Sequence, residues 1–239
     1  MKTQIKKSLD DLRQTLSQTL SPKLSEGGET TGEGAINIGR MNYVRAPFAA
    51  AIGTHNTVEA TATSSFVFGD GGWMRGAYTV GNGRAPVDHG VHGMHITGAG
   101  NTPKLGGAQY GRLLLYGETT NATAKVLCSV GDKPNPQNQL VLQNNSGLSA
   151  RFYVSAYDAT TGYTTRWSGG VAASRGANAT TTALQTAAYG SKLQPPVANT
   201  YTITVTADTT NGALRFSVIG DASKTIRWLA NIEFEEIAI

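Results

Sequence analysis

The sequence predicts a mostly β protein in three parts: an N-terminal α-helix, a short β-solenoid or β-roll, and a C-terminal antiparallel β-sandwich. Three observations predict it. Only 15% of the 239 residues are charged and 29 are glycine, against roughly 25% charged in an average domain. That mix favours short strands and turns over long helices. A small apolar-Gly step recurs at Ile38-Gly39, Ile52-Gly53, Phe68-Gly69 and Val80-Gly81, separated by fourteen, sixteen and twelve residues. Beyond residue 105, runs such as Tyr201-Thr202-Ile203-Thr204-Val205-Thr206 alternate with period two.

Residues 1–25 carry the helical pattern. Ile5, Leu9, Leu12 and Leu16 step by four, three and four, the seam of a coiled coil, and Leu20 and Leu24 continue it. The apolar stripe is narrow and the other faces are polar, so such a helix is marginal alone in water. It needs a partner: copies of itself, a larger assembly, or its own domain. Pro22 bends or ends it, and residues 26–34, rich in Gly, Glu and Thr, read as a flexible linker.

Residues 35–104 hold the apolar-Gly steps. A period this short cannot contain a helical repeat with its turns, but it fits one or two very short strands per coil of a β-solenoid. Glycine then sits where a tight turn requires positive φ. The apolar residue before it is expected to point inward and stack on that of the next coil. So thin a coil buries little surface, which favours lateral association through its flat faces.

Residues 105–239 read as strands throughout. The stretch 151–157 alternates, and the Asn211-Gly212 turn joins the run at 201–206 to Ala213-Leu214-Arg215-Phe216-Ser217-Val218. The last strand puts Ile226, Trp228, Ala230, Ile232 and Phe234 on one face, with Arg227, Asn231, Glu233 and Glu235 on the other. Short alternating strands between Gly, Asn and Asp turns indicate an antiparallel sandwich.

Two stretches resemble known families. "AAAIGTHNTVEATATSSFVFG" is similar to the head repeats of trimeric autotransporter adhesins, a parallel β-roll also found in phage tail-fibre proteins; Trp73-Met74-Arg75 departs from the small residues that family prefers. "YGETTNATAKVL", "TTRWSGGVAASRGANATTTAL" and "VTADTTNGALRFSVIGDASKTIRWLANIEFEEI" resemble, in order, the C-terminal domain of many phage tail-fibre and related virion proteins. The resemblance implies a virion component, a homotrimeric fibre of tail, collar or head that contacts a host-surface glycan or protein. Its N-terminal segment would meet other virion proteins. The alternative is a capsid or tail decoration protein that docks without a receptor.

Chemistry is sparse. No Gly-x-Ser-x-Gly elbow, His-Glu-x-x-His or phosphate-cradling loop is present. Asp10-Asp11 falls on a helix face, and strand alternation points Glu235 and Glu236 apart, so the expectation is no enzymatic activity and no cofactor. His89, His92 and His95 recur at three-residue intervals; one from each chain meeting at a trimer axis would suit a metal, while polar loop contacts are the alternative, and no metal is favoured. Cys128 is the single cysteine, in an apolar run that suggests a buried small hydrophobe. The charge of +4 comes from scattered bases without a basic stripe, which argues against nucleic acid. No apolar run is long enough to span a bilayer, and the N-terminus lacks the apolar centre of a secretory signal. Synthesis in a cytoplasm is therefore expected. For receptor contact the aromatic cluster Tyr157, Tyr163 and Trp167 offers flat apolar faces with polar edges; for Tyr157 and the nearby Tyr153, four apart on one strand face, a core role is the favoured alternative.

If the leucine seam drives assembly, Leu12→Asp combined with Leu16→Asp abolishes trimers or particle attachment. Unchanged mass and unchanged incorporation into particles contradict that role.

Overall fold

The structure, a computed structural model, describes residues 25–100, 104–194 and 199–239. The expected helix bearing Ile5, Leu9, Leu12, Leu16, Leu20 and Leu24 lies outside the described residues. Among those residues the chain is mostly β, with a solenoid of about five turns followed by antiparallel sheets.

The solenoid strands are β1 (Ser25–Thr30), β2 (Ile36–Val44), β3 (Ala50–Thr54), β4 (Thr57–Val58), β5 (Phe66–Asp70), β6 (Trp73–Met74), β7 (Val80–Arg84) and β8 (His95–Gly100). On the first face of the coil, the start of β2, then β3, β5, β7 and β8, stack in parallel. On the second face β1, the end of β2, β4 and β6 do the same, and Val87 bridges to Trp73. Residues 26–34, expected as a linker, thus contribute a paired strand. Their glycines serve close approach: a Cβ on Gly28 would lie 2.0 Å from the Asn42 carbonyl oxygen.

One column of glycine sets the stacking. Gly39, Gly53, Gly69 and Gly83 pair in register and all hold positive φ, between 83° and 133°. A Cβ on Gly39, Gly53 or Gly69 would stand 2.0 Å from the carbonyl oxygen of the glycine in the next coil. No side chain fits there. Just past this column the chain turns inward at Asn42 and Asn56, both fully buried. The Asn42 Oδ1 accepts from the Asn56 backbone N–H (3.0 Å) and Nδ2 (3.1 Å), and the Asn56 Oδ1 accepts from the Gly72 N–H (2.9 Å). Each amide Nδ2 also donates to a column carbonyl, Gly53 or Gly69. These bonds satisfy backbone groups that the tight corner would otherwise strand.

The expected inward ladder is corrected in two ways. Asn37, Ala51, Val67, Gly81 and Ile96 are the buried positions of the first face; Ala51 and Val67 share a core with Val44, Val58 and Met74, while Ile96 in the last coil joins the C-terminal core. Ile38, Ile52 and Phe68 share the opposite parity and point outward. Across β2, β3 and β5 the inward positions carry the smaller residues Asn37, Ala51 and Val67, and period two sends their larger neighbours out. Val80-Gly81 also belongs to a different register: Val80 pairs with Phe66 and Gly81 with Val67, while the glycine column runs to Gly83. Gly81 leaves room for the Met74 side chain, which would crowd a Cβ at 2.8 Å. Met74 thereby fills the coil interior, and the bulk at residues 73–75 is accommodated.

The remaining strands are β9 (Ala108–Thr119), β10 (Lys125–Val126), β11 (Leu140–Val141), β12 (Ser146–Asp158), β13 (Thr164–Arg175), β14 (Ala183–Leu193), β15 (Thr202–Asp208), β16 (Ala213–Ile219) and β17 (Ile226–Ala238). No break in the sheet marks the expected boundary at residue 105: β8 pairs antiparallel with β9, and the sheet continues through β17, β12, β13 and β14. A second sheet, in which β16 pairs with β10, β11 and β15, shares its core. Phe152 meets Phe216 edge-on across that core at 5.5 Å, and Tyr201 meets Trp228 at 5.9 Å. The Tyr201 hydroxyl donates to the buried Asp158 (2.8 Å).

Gly53→Ala should lower the unfolding free energy by about 3 kcal/mol, because strained φ and a backbone clash combine. Gly71→Ala, also at positive φ but with nothing within 4 Å, should cost only about 1 kcal/mol. Urea titration separates the two, and equal losses would contradict the close-approach role.

Candidate functional site

The first face of the coil presents two outward rows. Ile36, Ala50, Phe66 and Val80 form one, and Ile38, Ile52, Phe68 and Asn82 the other. No charged side chain interrupts either row. Ile36 is 53% and Phe68 54% exposed, so no described part of the chain covers them. A flat apolar strip of this kind marks an interaction surface. Its edge is bounded by Phe48 and Tyr78, exposed at a corner where both hold positive φ. Past β8 the same sheet face turns polar and aromatic. Arg112 pairs across strands with Glu233 and donates to Asn231 (2.7 Å), while Tyr110, Tyr116, Tyr153 and Tyr157 project beside them.

Around the corner, on the second face, Tyr43, Thr57 and Trp73 stand in register on successive rungs. Thr57 is short, so the two aromatics wall a notch of about 730 Å³ floored by Gly71 and Gly72. Its rim is polar. Glu59 accepts from the Trp73 indole N–H (3.1 Å) and pairs with Arg45 (3.4 Å), and Asp70 accepts from the Thr54 hydroxyl (2.7 Å).

His89, His92 and His95, weak metal candidates by their spacing, are separated in role. His89 is buried against Glu236 (2.7 Å), the His92 Nδ1 accepts from the Ala77 backbone N–H (2.8 Å), and His95 lies exposed in β8. Among the described residues no group of three or more His, Cys, Asp or Glu is placed to hold a metal ion. Of the aromatic trio, Tyr157 and Tyr163 are each 45% exposed, Tyr157 on the outward face and Tyr163 in the loop after β12. Trp167 is corrected: it is 7% exposed and stacks on Trp228 at 5.8 Å, a core residue whose parity along β13 turns it inward. Tyr153 and Tyr157, both read as core, are exposed by the same parity rule. Cys128 is buried.

Glu236 is a residue whose weight sequence reasoning missed. It is buried where the last coil meets β17 and accepts from the His89 ring, Gln109 Nε2 (3.0 Å), the Gln143 backbone N–H (2.6 Å) and the Ser146 hydroxyl (2.9 Å). Burial pushes its carboxyl up, but His89 and these donors outweigh that and hold it down at about 2. The signal in the sequence was only the parity of Glu236, shared with Phe234, against that of Glu235. The tie of Asn42 to Asn56 had a clearer one, Asn three residues after Gly39 and again after Gly53.

No known protein family matches the sequence, and no curated protein does. Among solved structures, the chain is similar to the tailspike protein of Acinetobacter baumannii phage AM24, at 10% identity and TM-score 0.32, over 92% of this chain and 43% of that one. It is also similar to tailspike gp49 of Acinetobacter baumannii bacteriophage Fri1, described as a capsular polysaccharide depolymerase, at 9% identity and TM-score 0.26, over 82% and 39%. The chain spans less than half the length of either. The expectation of no enzymatic activity is corrected on this finding: a structural neighbour is by its own description an enzyme.

Because the Glu236 carboxyl titrates near 2 rather than 4.5, its contribution is complete above about pH 4.5 and lost as pH falls towards 2. Glu236→Gln should lower stability by about 3 kcal/mol at pH 7 and flatten the acid limb of stability against pH. Urea unfolding at pH 7 and pH 3 checks both; an acid limb as steep as in the native chain would contradict the assignment.

Proposed function

We propose that this chain is a structural component of a phage virion, a homotrimeric fibre of tail, collar or head that contacts host-surface glycan or protein. The observation that carries the trimer is the pair of uncovered apolar rows. A parallel stack with one thin interior leaves its large residues outside, and copies related by an axis along the coil would bury them against one another. The virion assignment is supported by the resemblance of residues 49–69 and of the C-terminal motifs to phage fibre proteins. Host contact falls to surfaces that such packing leaves open. These are the notch between Tyr43 and Trp73, which lies around the corner from the apolar rows, and the loop carrying Tyr163. Aromatic faces beside carboxylates and an Arg suit sugar rings. Three copies on one stalk let weak sites act together through avidity. On this reading residues 1–25 attach the fibre to other virion proteins.

In the experiment, native chain and an Ile52→Asp, Phe68→Asp double variant are compared by sedimentation and by antibody labelling of particles. The native chain should sediment at three times 25.1 kDa and label particles; the variant should keep its β circular dichroism, sediment as a monomer and fail to label. A native monomer, or a variant that still trimerises, would overturn the reading.

A further inference from the structure

We infer that the cleft between the last coil and the second sheet binds an oxyanion, a carboxylate or phosphate group carried by a ligand. The cleft holds about 460 Å³ and is lined by Arg75, His89, Gln143, Arg175, Thr210 and Asn211, among others. Two arginines from different elements line it, Arg75 from the coil and Arg175 from the end of β13. Among the described residues neither makes an ion pair. The Nε of each is buried with no hydrogen-bond partner.

Their other contacts fix them without neutralising them. Arg75 stacks over the Trp73 ring at 4.8 Å, and the Arg175 Nη1 donates to the Leu142 carbonyl (2.7 Å) and the Gly212 carbonyl (3.4 Å). Both forks are therefore held in place while part of each stays unused. Two carboxylates are buried nearby and both are already engaged: Asp88 accepts from the backbone N–H groups of Arg75 and Gly76, and Glu236, whose charge acts on Arg175, is held by His89 and Gln109. Two cations with stranded donors in one cleft are costly unless something supplies acceptors. An oxyanion does so with the planar geometry that guanidinium groups favour. Thr210, exposed at the mouth, leaves the approach open.

The inference goes beyond the fibre reading and does not rest on it; in a fibre, the acid group of a surface saccharide is one source of the anion and a free phosphate the other. It is tested on the purified full chain by thermal unfolding in inorganic phosphate, in glucuronate and in chloride, at one ionic strength. Phosphate or glucuronate should raise the midpoint saturably above chloride, and a response to only one of them names the source. Arg75→Gln should raise the half-saturating concentration about tenfold, with Arg75→Lys in between. Thr210→Asp, a rim change that leaves the core alone, should weaken the effect as well. No rise above chloride, or a rise that both Arg75→Gln and Thr210→Asp leave intact, would overturn the inference. Sedimentation of the same samples reports the oligomer separately, so failure here is distinguishable from failure of the trimer.

Discussion

Backbone contact along the glycine column is the constraint on which the rest depends. Where Gly39, Gly53, Gly69 and Gly83 stack, the chain of one coil occupies the space a Cβ would need in the next. Coils can then lie close and in register, and the turn that follows can be tight enough for Asn42 and Asn56 to reach back across it. The interior this produces is slender. It accepts Ala51, Val67 and Val58 but excludes Ile38, Ile52 and Phe68, which strand geometry places on the outside. The exposed apolar rows are thus a consequence of the same glycines that close the coil.

The coil is joined to the C-terminal sheets by backbone and by charge. β8 hands the sheet to β9 without a gap, so the outward face runs on from the apolar rows to a polar, aromatic surface. Behind that junction the buried Glu236 ties His89 and Gln109 to Gln143 and Ser146, residues far apart in sequence. A buried carboxylate of this kind fixes one arrangement of the two parts, since any other leaves the charge without partners.

The coil was legible in the sequence because glycine at positive φ has few substitutes, and its spacing survives even where coil lengths drift. Facing was not legible. Apolar-Gly steps suggest an inward ladder, yet the buried residue is the small one before each apolar partner, and Val80-Gly81 mimics the step two positions out of register. In β17 the alternation at Ile226, Trp228, Ala230, Ile232 and Phe234 was unbroken, so their burial followed directly. Trp167 misled for the opposite reason: aromatics near one another in sequence lie on both faces of β12 and β13, and clustering by number says nothing about parity. The notch walled by Tyr43 and Trp73 joins residues from different coils, and the Arg75–Arg175 cleft joins a coil to a distant strand. Sequence order hides both.

The central claim is that the rows flanking the glycine column are covered by other copies of the chain. Hydroxyl-radical footprinting of the purified native protein tests it most directly, because Phe68 and Ile36 are about as open in a single chain as the loop residue Tyr163. The account predicts that Phe68 and Ile36 are labelled as slowly as the core residue Phe152, while Tyr163 is labelled fast. Labelling of Phe68 at the rate of Tyr163 would mean the face is bare in solution, and would contradict it.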